Sequence, residues 1–245
     1  MITEQFQASG PVRIVVHQGI GPVELVAAAV EGVDVRIDGP DADDYSVDFT
    51  ADTLTIQAPP VVAKVFRKAG AAISGGTAVS IAAPVGSQLD IEVGSGAVDI
   101  RGEFGPGAVH TGAGNLDIEQ VSADMRVETG AGNVTLSTVS AKARVHLGAG
   151  NTRVSELSGD LTVATGAGNL HVARAVRGSL AFESAAGSAT IGVPAGTPTW
   201  TKLSTLMGHV NSSLPPVGEP PEGADHLELH IQTVTGNITL QPAIC

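Results

Sequence analysis

GAGNLDIEQVSADMRVET at 112–129, GAGNVTLSTVSAKARVHL at 130–147 and GAGNTRVSELSGDLTVAT at 148–165 are three successive copies of one 18-residue template. Working outward, the same glycine recurs at Gly94, Gly112, Gly130, Gly148 and Gly166 without drift. Self-similarity at a fixed period marks a stacked repeat in which each unit completes its core against the next. One coil, from Gly168 to Gly187, is 19 residues long, and its extra residue is placed near Arg174 to Arg177, at the second corner. Each template divides into two halves of about nine residues, each a Gly or Ala turn followed by an apolar, any, apolar triplet, which predicts two strands per coil.

Alternation along a strand assigns the faces. In the first strand Val98 and Ile100, Leu116 and Ile118, Val134 and Leu136, Thr152 and Val154, Leu170 and Val172 point inward. In the second, Leu89 and Ile91, Met125 and Val127, Ala143 and Val145, Leu161 and Val163, Leu180 and Phe182 do so. Asp117, Thr135, Arg153 and His171 then point outward, and Val121, Val139, Leu157 and Val176 form an apolar column at the corner between the sheets. The fold class expected is all-β, a single-stranded β-helix or β-solenoid of 18-residue coils with two parallel sheets back to back. The preference of parallel crossovers favours the right-handed form. A left-handed hexapeptide helix has the same coil length but requires three short faces, so it ranks second.

The turns carry their own chemistry. Gly94, Gly112, Gly114, Gly130, Gly132, Gly148, Gly150, Gly166 and Gly168 are expected to supply positive φ and close stacking of coils. Asn115, Asn133, Asn151 and Asn169 tolerate left-handed geometry and can hydrogen-bond along their own column. A structural ladder is favoured over a ligand site, because the position repeats with the turn.

The regular coils occupy 86–192 of a chain read as one elongated domain, with irregular strands or a cap at 1–85 and C-terminal strands or a cap at 193–245. Runs such as PVRIVV, VDVRIDG and YSVDFTADTLTIQAP precede the array, and WTKLSTLMGHVNSSL and HLELHIQTVTGNITLQPA flank a loop, PPVGEPPEGAD, after it. These ends are the atypical, capping parts of the array.

Composition agrees with thin β-structure. Hydrophobic residues reach 42%, charged residues only 16% and aromatic ones 3%, with 31 glycines, so narrow layers of Val, Ile, Leu and Ala must fill the interior of the 245-residue chain. The net charge of -12 disfavours nucleic acid and anionic membranes. Lys64, Arg67 and Lys68 form the one compact basic stretch and are assigned to a solvated strand edge. Cys245 is the sole cysteine, which rules out an intrachain disulfide. The sequence MITEQFQASGPVRIVV lacks the basic and long apolar regions of a signal peptide, and no apolar run has membrane-spanning length, so a cytoplasmic location without a membrane span is expected.

Several of these segments together resemble the bacterial DUF4097-like β-strand-repeat family of unknown function, whose members bear the label "putative adhesin". The resemblance rests on the strand-rich lead-in, the Pro84 to Ser87 step, the GAGN coils, IGVPAGTPTWTKLST and the closing TVTGNITLQPA, and so covers nearly the whole chain. It implies a β-solenoid and no particular activity. Family turns more often carry Ser-Gly-Asp. Here Asn replaces that Asp in four coils, which removes the turn charges a cation site would use.

No nucleophile elbow, P-loop, His-Glu-x-x-His or paired-Cys metal signature is present, so no catalytic, cofactor or metal residue is assigned and the chain is read as non-enzymatic. His226 and His230 bracket Leu-Glu-Leu and are assigned to an ordinary strand face. One outward column stands out: Glu92, His110, Glu128 and His146, with Arg126 and Arg144 two residues upstream of the last two. It reads as a surface charge ladder or, more sharply, as a face for a partner. The leading function is a scaffold whose repetitive faces bind another protein or further copies of the chain. A carbohydrate or surface-ligand module comes second, with few aromatics to support it, and a polysaccharide-acting enzyme third.

Overall fold

A computed structural model of the protein describes residues 1–59, 76–214 and 226–243. The basic stretch at Lys64, Arg67 and Lys68, the loop at 215–225 and Cys245 lie outside the described residues. The chain divides into two compact units, Met1–Asp117 and Ile118–Cys245. Both are built from β-strands, with one turn of 3-10 helix at Ala42–Asp44. Among the described residues no helix is long and apolar enough to cross a membrane.

In the first unit the strands are β1 (Ile2–Phe6), β2 (Arg13–Ile20), β3 (Val23–Ala28), β4 (Val33–Asp38), β5 (Ser46–Thr50), β6 (Thr53–Gln57), β7 (Ala78–Pro84), β8 (Gln88–Ser95), β9 (Val98–Arg101) and β10 (Gly107–Ala113); the division falls inside β11 (Leu116–Val121). One sheet runs β1-β4-β7-β3-β9 and the other β10-β8-β2-β6-β5. Every second residue faces the core: Ile14 with Val16, Leu54 with Ile56 and Leu89 with Ile91 from one sheet, Val23 with Leu25, Val79 with Ile81 and Val98 with Ile100 from the other. Each such side chain contributes roughly 1.5–3 kcal/mol by leaving water. These narrow rows are why Val, Ile and Leu, rather than aromatic rings, fill the interior.

Stacking order departs from chain order here. β2 lies between β6 and β8, with Arg13 beside both Thr53 and Gln88, and β3 lies between β7 and β9, with Val23 beside both Val79 and Val98. The coil formed by β2 and β3 is thus inserted between two coils that follow it in sequence. The outer strands also reverse direction, since β1 with β4, β4 with β7 and β5 with β6 are antiparallel. At β5 and β6 the cause is local. Ala51 and Asp52 both adopt positive φ (50° and 58°), the signature of a two-residue hairpin turn whose twist matches antiparallel strands.

The second unit continues with β12 (Met125–Ala131), β13 (Val134–Val139), β14 (Lys142–Ala149), β15 (Thr152–Leu157), β16 (Asp160–Ala167), β17 (Leu170–Ala175), β18 (Gly178–Ala186), β19 (Ala189–Val193), β20 (Thr199–Met207), β21 (Val210–Ser212), β22 (Leu227–Thr235) and β23 (Ile238–Pro242). Its sheets run β13-β15-β17-β19-β23-β21 and β20-β22-β18-β16-β14-β12. Met125, Ala143 and Leu161 lie side by side at the 18-residue spacing, as do Val134, Thr152 and Leu170. Leu161 then meets Leu180, one residue later. Because Arg174 still pairs with Glu156 and Ala175 with Leu157, the added residue falls after Ala175. The corner column is therefore Val121, Val139, Leu157 and Ala175, all buried, with Val176 half-buried beside it. Val176, expected in that column, is displaced from it by one position because Ala175 pairs with Leu157. The end of this unit repeats the insertion seen in the first: β22 lies between β18 and β20, and β23 between β19 and β21.

Candidate interaction face

The corners hold the faces in register, and their two glycines have separate tasks. At Gly148 and Gly166 a Cβ would come within 2.4 and 2.7 Å of the carbonyl oxygen of the glycine one coil earlier, so hydrogen is required for close stacking rather than for positive φ. At Gly150 φ is +142°, and a Cβ would lie 1.8 Å from the Gly132 carbonyl oxygen. Gly114 and Gly132 adopt the same conformation at +150° and +146°.

The asparagines are not left-handed, which corrects one part of their expected role. Among the described residues only Ala51 and Asp52 combine a side chain with positive φ. The preceding glycine takes the strain, leaving each Asn free to bond along the stack. Asn133 Oδ1 accepts from the backbone N and Nδ2 of Asn151, both at 3.1 Å, and Asn151 Oδ1 accepts from the same groups of Asn169 at 3.0 and 2.9 Å. The amide of Ser188 continues the ladder onto Asn169 Oδ1 at 2.9 Å.

With the corners fixed, outward side chains fall into rows. In the first unit Glu92 lies between His17 and His110 in strand register, and His17 Nδ1 approaches Glu92 Oε2 to 2.9 Å. Diagonally across the same two strands Arg13 Nη2 donates to Asp90 Oδ2 at 2.8 Å. His17 belongs to this row only because its coil is inserted. The available signal was the match of Gly21 followed by Val23 and Leu25 to Gly96 followed by Val98 and Ile100.

In the second unit Glu128 lies beside His146, and the next position along the row is Ala164, which ends the alternation. Arg126 Nε donates to Glu128 Oε1 at 2.6 Å, so this carboxylate is bonded within its own strand. Arg126 and Arg144 stand directly beside one another, an arrangement of like charges that costs stability. Along β14 the outward positions are Lys142, Arg144 and His146, all exposed, with no carboxylate on that strand. Lys142 has Asp160 beside it, whereas Arg144 is flanked by Arg126 and Thr162. Three cations, Lys142, Arg144 and Arg126, thus share this face with Glu128 and Asp160 on a chain whose net charge is -12.

The other residues singled out do not gather into a site. His230 lies beside Lys202 and Ala181, and the rings of His226 and Trp200 are 6.4 Å apart. Among the described residues no three His, Cys, Asp or Glu side chains are grouped to hold a metal ion. The buried polar cluster is a corner brace in the first unit: Tyr45 Oη donates to Gln18 Oε1 at 2.5 Å, and Gln18 Nε2 donates to the Thr77 carbonyl at 2.5 Å. Burial pushes the Tyr45 phenol above its ordinary value, against the opposing effect of its hydrogen bond to Gln18.

The family model described as Toastrack DUF4097 matches residues 24–241. The fold is similar to that of a putative adhesin from Bacteroides fragilis, with 16% identity, a TM-score of 0.61 and coverage of 98% of this chain and 96% of the other. A putative adhesin from Parabacteroides merdae matches at 11% identity and TM-score 0.48, over 98% of this chain and 95% of the other. A putative lipid binding protein from Parabacteroides distasonis matches at 13% and 0.42, over 98% and 96%. No curated protein matches this chain.

Proposed function

The chain belongs to the Toastrack DUF4097 family, and from that premise we propose that it is a non-enzymatic interaction scaffold that binds an acidic protein surface on the outward face of β14 and its neighbours. The observation that carries this reading is the row Lys142, Arg144 and His146, set beside Arg126 on a flat sheet of an otherwise acidic molecule. A stack of parallel strands repeats its outward positions at about 4.8 Å, a spacing that offers several weak charge contacts at once. Such contacts steer encounter and select partners more than they add affinity. A non-catalytic role is supported by the way these outward carboxylates are occupied: Glu128 with Arg126, Asp90 with Arg13 and Glu24 with Arg101 as ion pairs, and Glu92 in a hydrogen bond with His17.

The test is co-purification from the native cell with the parent and with a Lys142→Glu, Arg144→Glu variant, at low and high salt. The expected outcome is a partner that the variant and high salt both lose. A His110→Ala, His146→Ala variant should fold like the parent, because exposed pairs contribute on the order of 1 kcal/mol or less. Partners retained in full by the charge-reversed variant would overturn the reading, and retention of a glycan instead would favour a carbohydrate-binding module.

A further inference from the structure

The two sheets of the second unit end at strands unlike those that end the sheets of the first. β5 carries Asp48 and β1 carries Glu4, charges of the kind that keep an edge from pairing, and the rings of Phe6 and Phe49 stack at 5.1 Å between these strands. β20 pairs with β22 alone among the described strands, so no described strand lies along its other side. The span Thr199–Ser212 contains no carboxylate, and Lys202 is its only Lys or Arg. Trp200 and Leu206 are 60% and 78% exposed on this edge.

The residues of β20 are self-complementary about their centre. Read outward from Leu203, TWTKLSTLM places Lys202 against Ser204, Thr201 against Thr205, Trp200 against Leu206 and Thr199 against Met207. We propose that β20 is the contact between two copies of this chain, paired antiparallel about a two-fold axis at Leu203. In that register Trp200 meets the partner's Leu206, twice by symmetry, and Lys202 meets the partner's Ser204, so no like charges face one another. Two chains of net charge -12 then meet through strands that carry no carboxylate of their own. A single strand pair is a small interface, which sets the expectation of a dimer in the micromolar range. This contact uses an edge, and stands or falls independently of the face on β14.

Sedimentation equilibrium of the full chain tests it. The mass should rise with concentration from 24.6 kDa toward twice that value. Trp200→Lys and Leu206→Lys should each weaken the dimer by tenfold or more, a loss of about 1.4 kcal/mol across the two symmetry-related Trp–Leu pairs. Val85→Lys, at a residue 44% exposed in the first unit, should leave it unchanged. A parent that stays monomeric, or a dimer equally strong in Trp200→Lys and Leu206→Lys, overturns the proposal. The register has its own readout that needs no folded Lys variant: Leu203→Cys in a Cys245→Ser chain should oxidise to a covalent dimer, because antiparallel partners bring Cα atoms within disulfide reach. A Leu203→Cys chain that dimerises without cross-linking refutes the two-fold at Leu203.

Discussion

The coils from Met125 to Ala186 and the two inserted coils share one grammar of paired strands, alternating faces and a glycine corner, yet they are put together differently. In the array each strand lies beside the strand one template later, with Met125 next to Ala143 and Ala143 next to Leu161. The β2–β3 coil sits instead between segments that follow it in sequence, and the β22–β23 coil between segments that precede it. Backbone hydrogen bonds make any two extended strands compatible, and every coil offers the same flat apolar layer to its neighbours. The layers themselves therefore do not dictate neighbour choice. An inserted terminal coil ties its neighbours together, where a coil stacked in chain order would protect only itself.

The largest effect should follow from removing such a coil. A chain ending at residue 225 loses β22 and β23, whose Leu227, Leu229, Ile231, Ile238 and Leu240 are fully buried. At roughly 1.5–3 kcal/mol per side chain, this is comparable with the whole stability of a typical domain. β20 and β21 would lose their only described partners as well, so amide hydrogen exchange should show protection vanishing from 199–212 although those residues are still present. Deleting a last coil stacked in chain order would leave its predecessor protected. Protection retained at 199–207 would mean that β20 can close onto β18, and that strand order is interchangeable.

Within the array the corner should outweigh the face. Gly150→Val must force a branched side chain into a positive-φ position whose Cβ already lies 1.8 Å from a carbonyl oxygen, and no flexible neighbour can yield. The expected loss is about 4 kcal/mol or more, since strain and backbone collision combine. Ser137→Val, on the outward side of β13, should change stability by about 0.5 kcal/mol or less. Thermal unfolding of the two variants checks the contrast, and equal melting temperatures would break it.

The array was legible because two periods coincide in it: a period of two decides which side of Val134, Thr135 and Leu136 is buried, and a period of 18 decides what lies beside them. The inserted coils carry the first period without the second. Gly236 and Asn237 keep the turn residues of the array, yet nothing in their sequence states that Asn237 will meet Ser188. The two residues are 49 positions apart in sequence. The same limit kept His17 out of the charged row, since its neighbour Glu92 is 75 residues away. The asparagine ladder was legible, but its φ angles were not, because a Gly-Asn pair can place the left-handed residue at either position and only packing selects one.

The smallest effect separates the corners chemically. In the second unit Thr129, Leu147 and Thr165 stand side by side in register, whereas in the first unit Gln18 stands beside Val93 and holds Tyr45. Tyr45 is the chain's only tyrosine, so its ionisation can be followed alone by near-ultraviolet absorbance. Burial raises its pKa above the ordinary 10.0, because a phenolate would lose water at that corner. Above pH 10 the unfolded chain therefore begins to release the proton while the native protein still holds it. The stabilisation from this difference is complete below pH 10 and is lost as pH rises from there through the native value. Tyr45→Phe removes the titration together with the hydrogen bond to Gln18, leaving the amide oxygen buried without its donor. The variant should be less stable by about 1–2 kcal/mol at neutral pH, and the gap to the parent should narrow in alkali. A phenol that titrates at its free value, or a gap independent of pH, would show that this corner is open to water and is held no differently from those of the array.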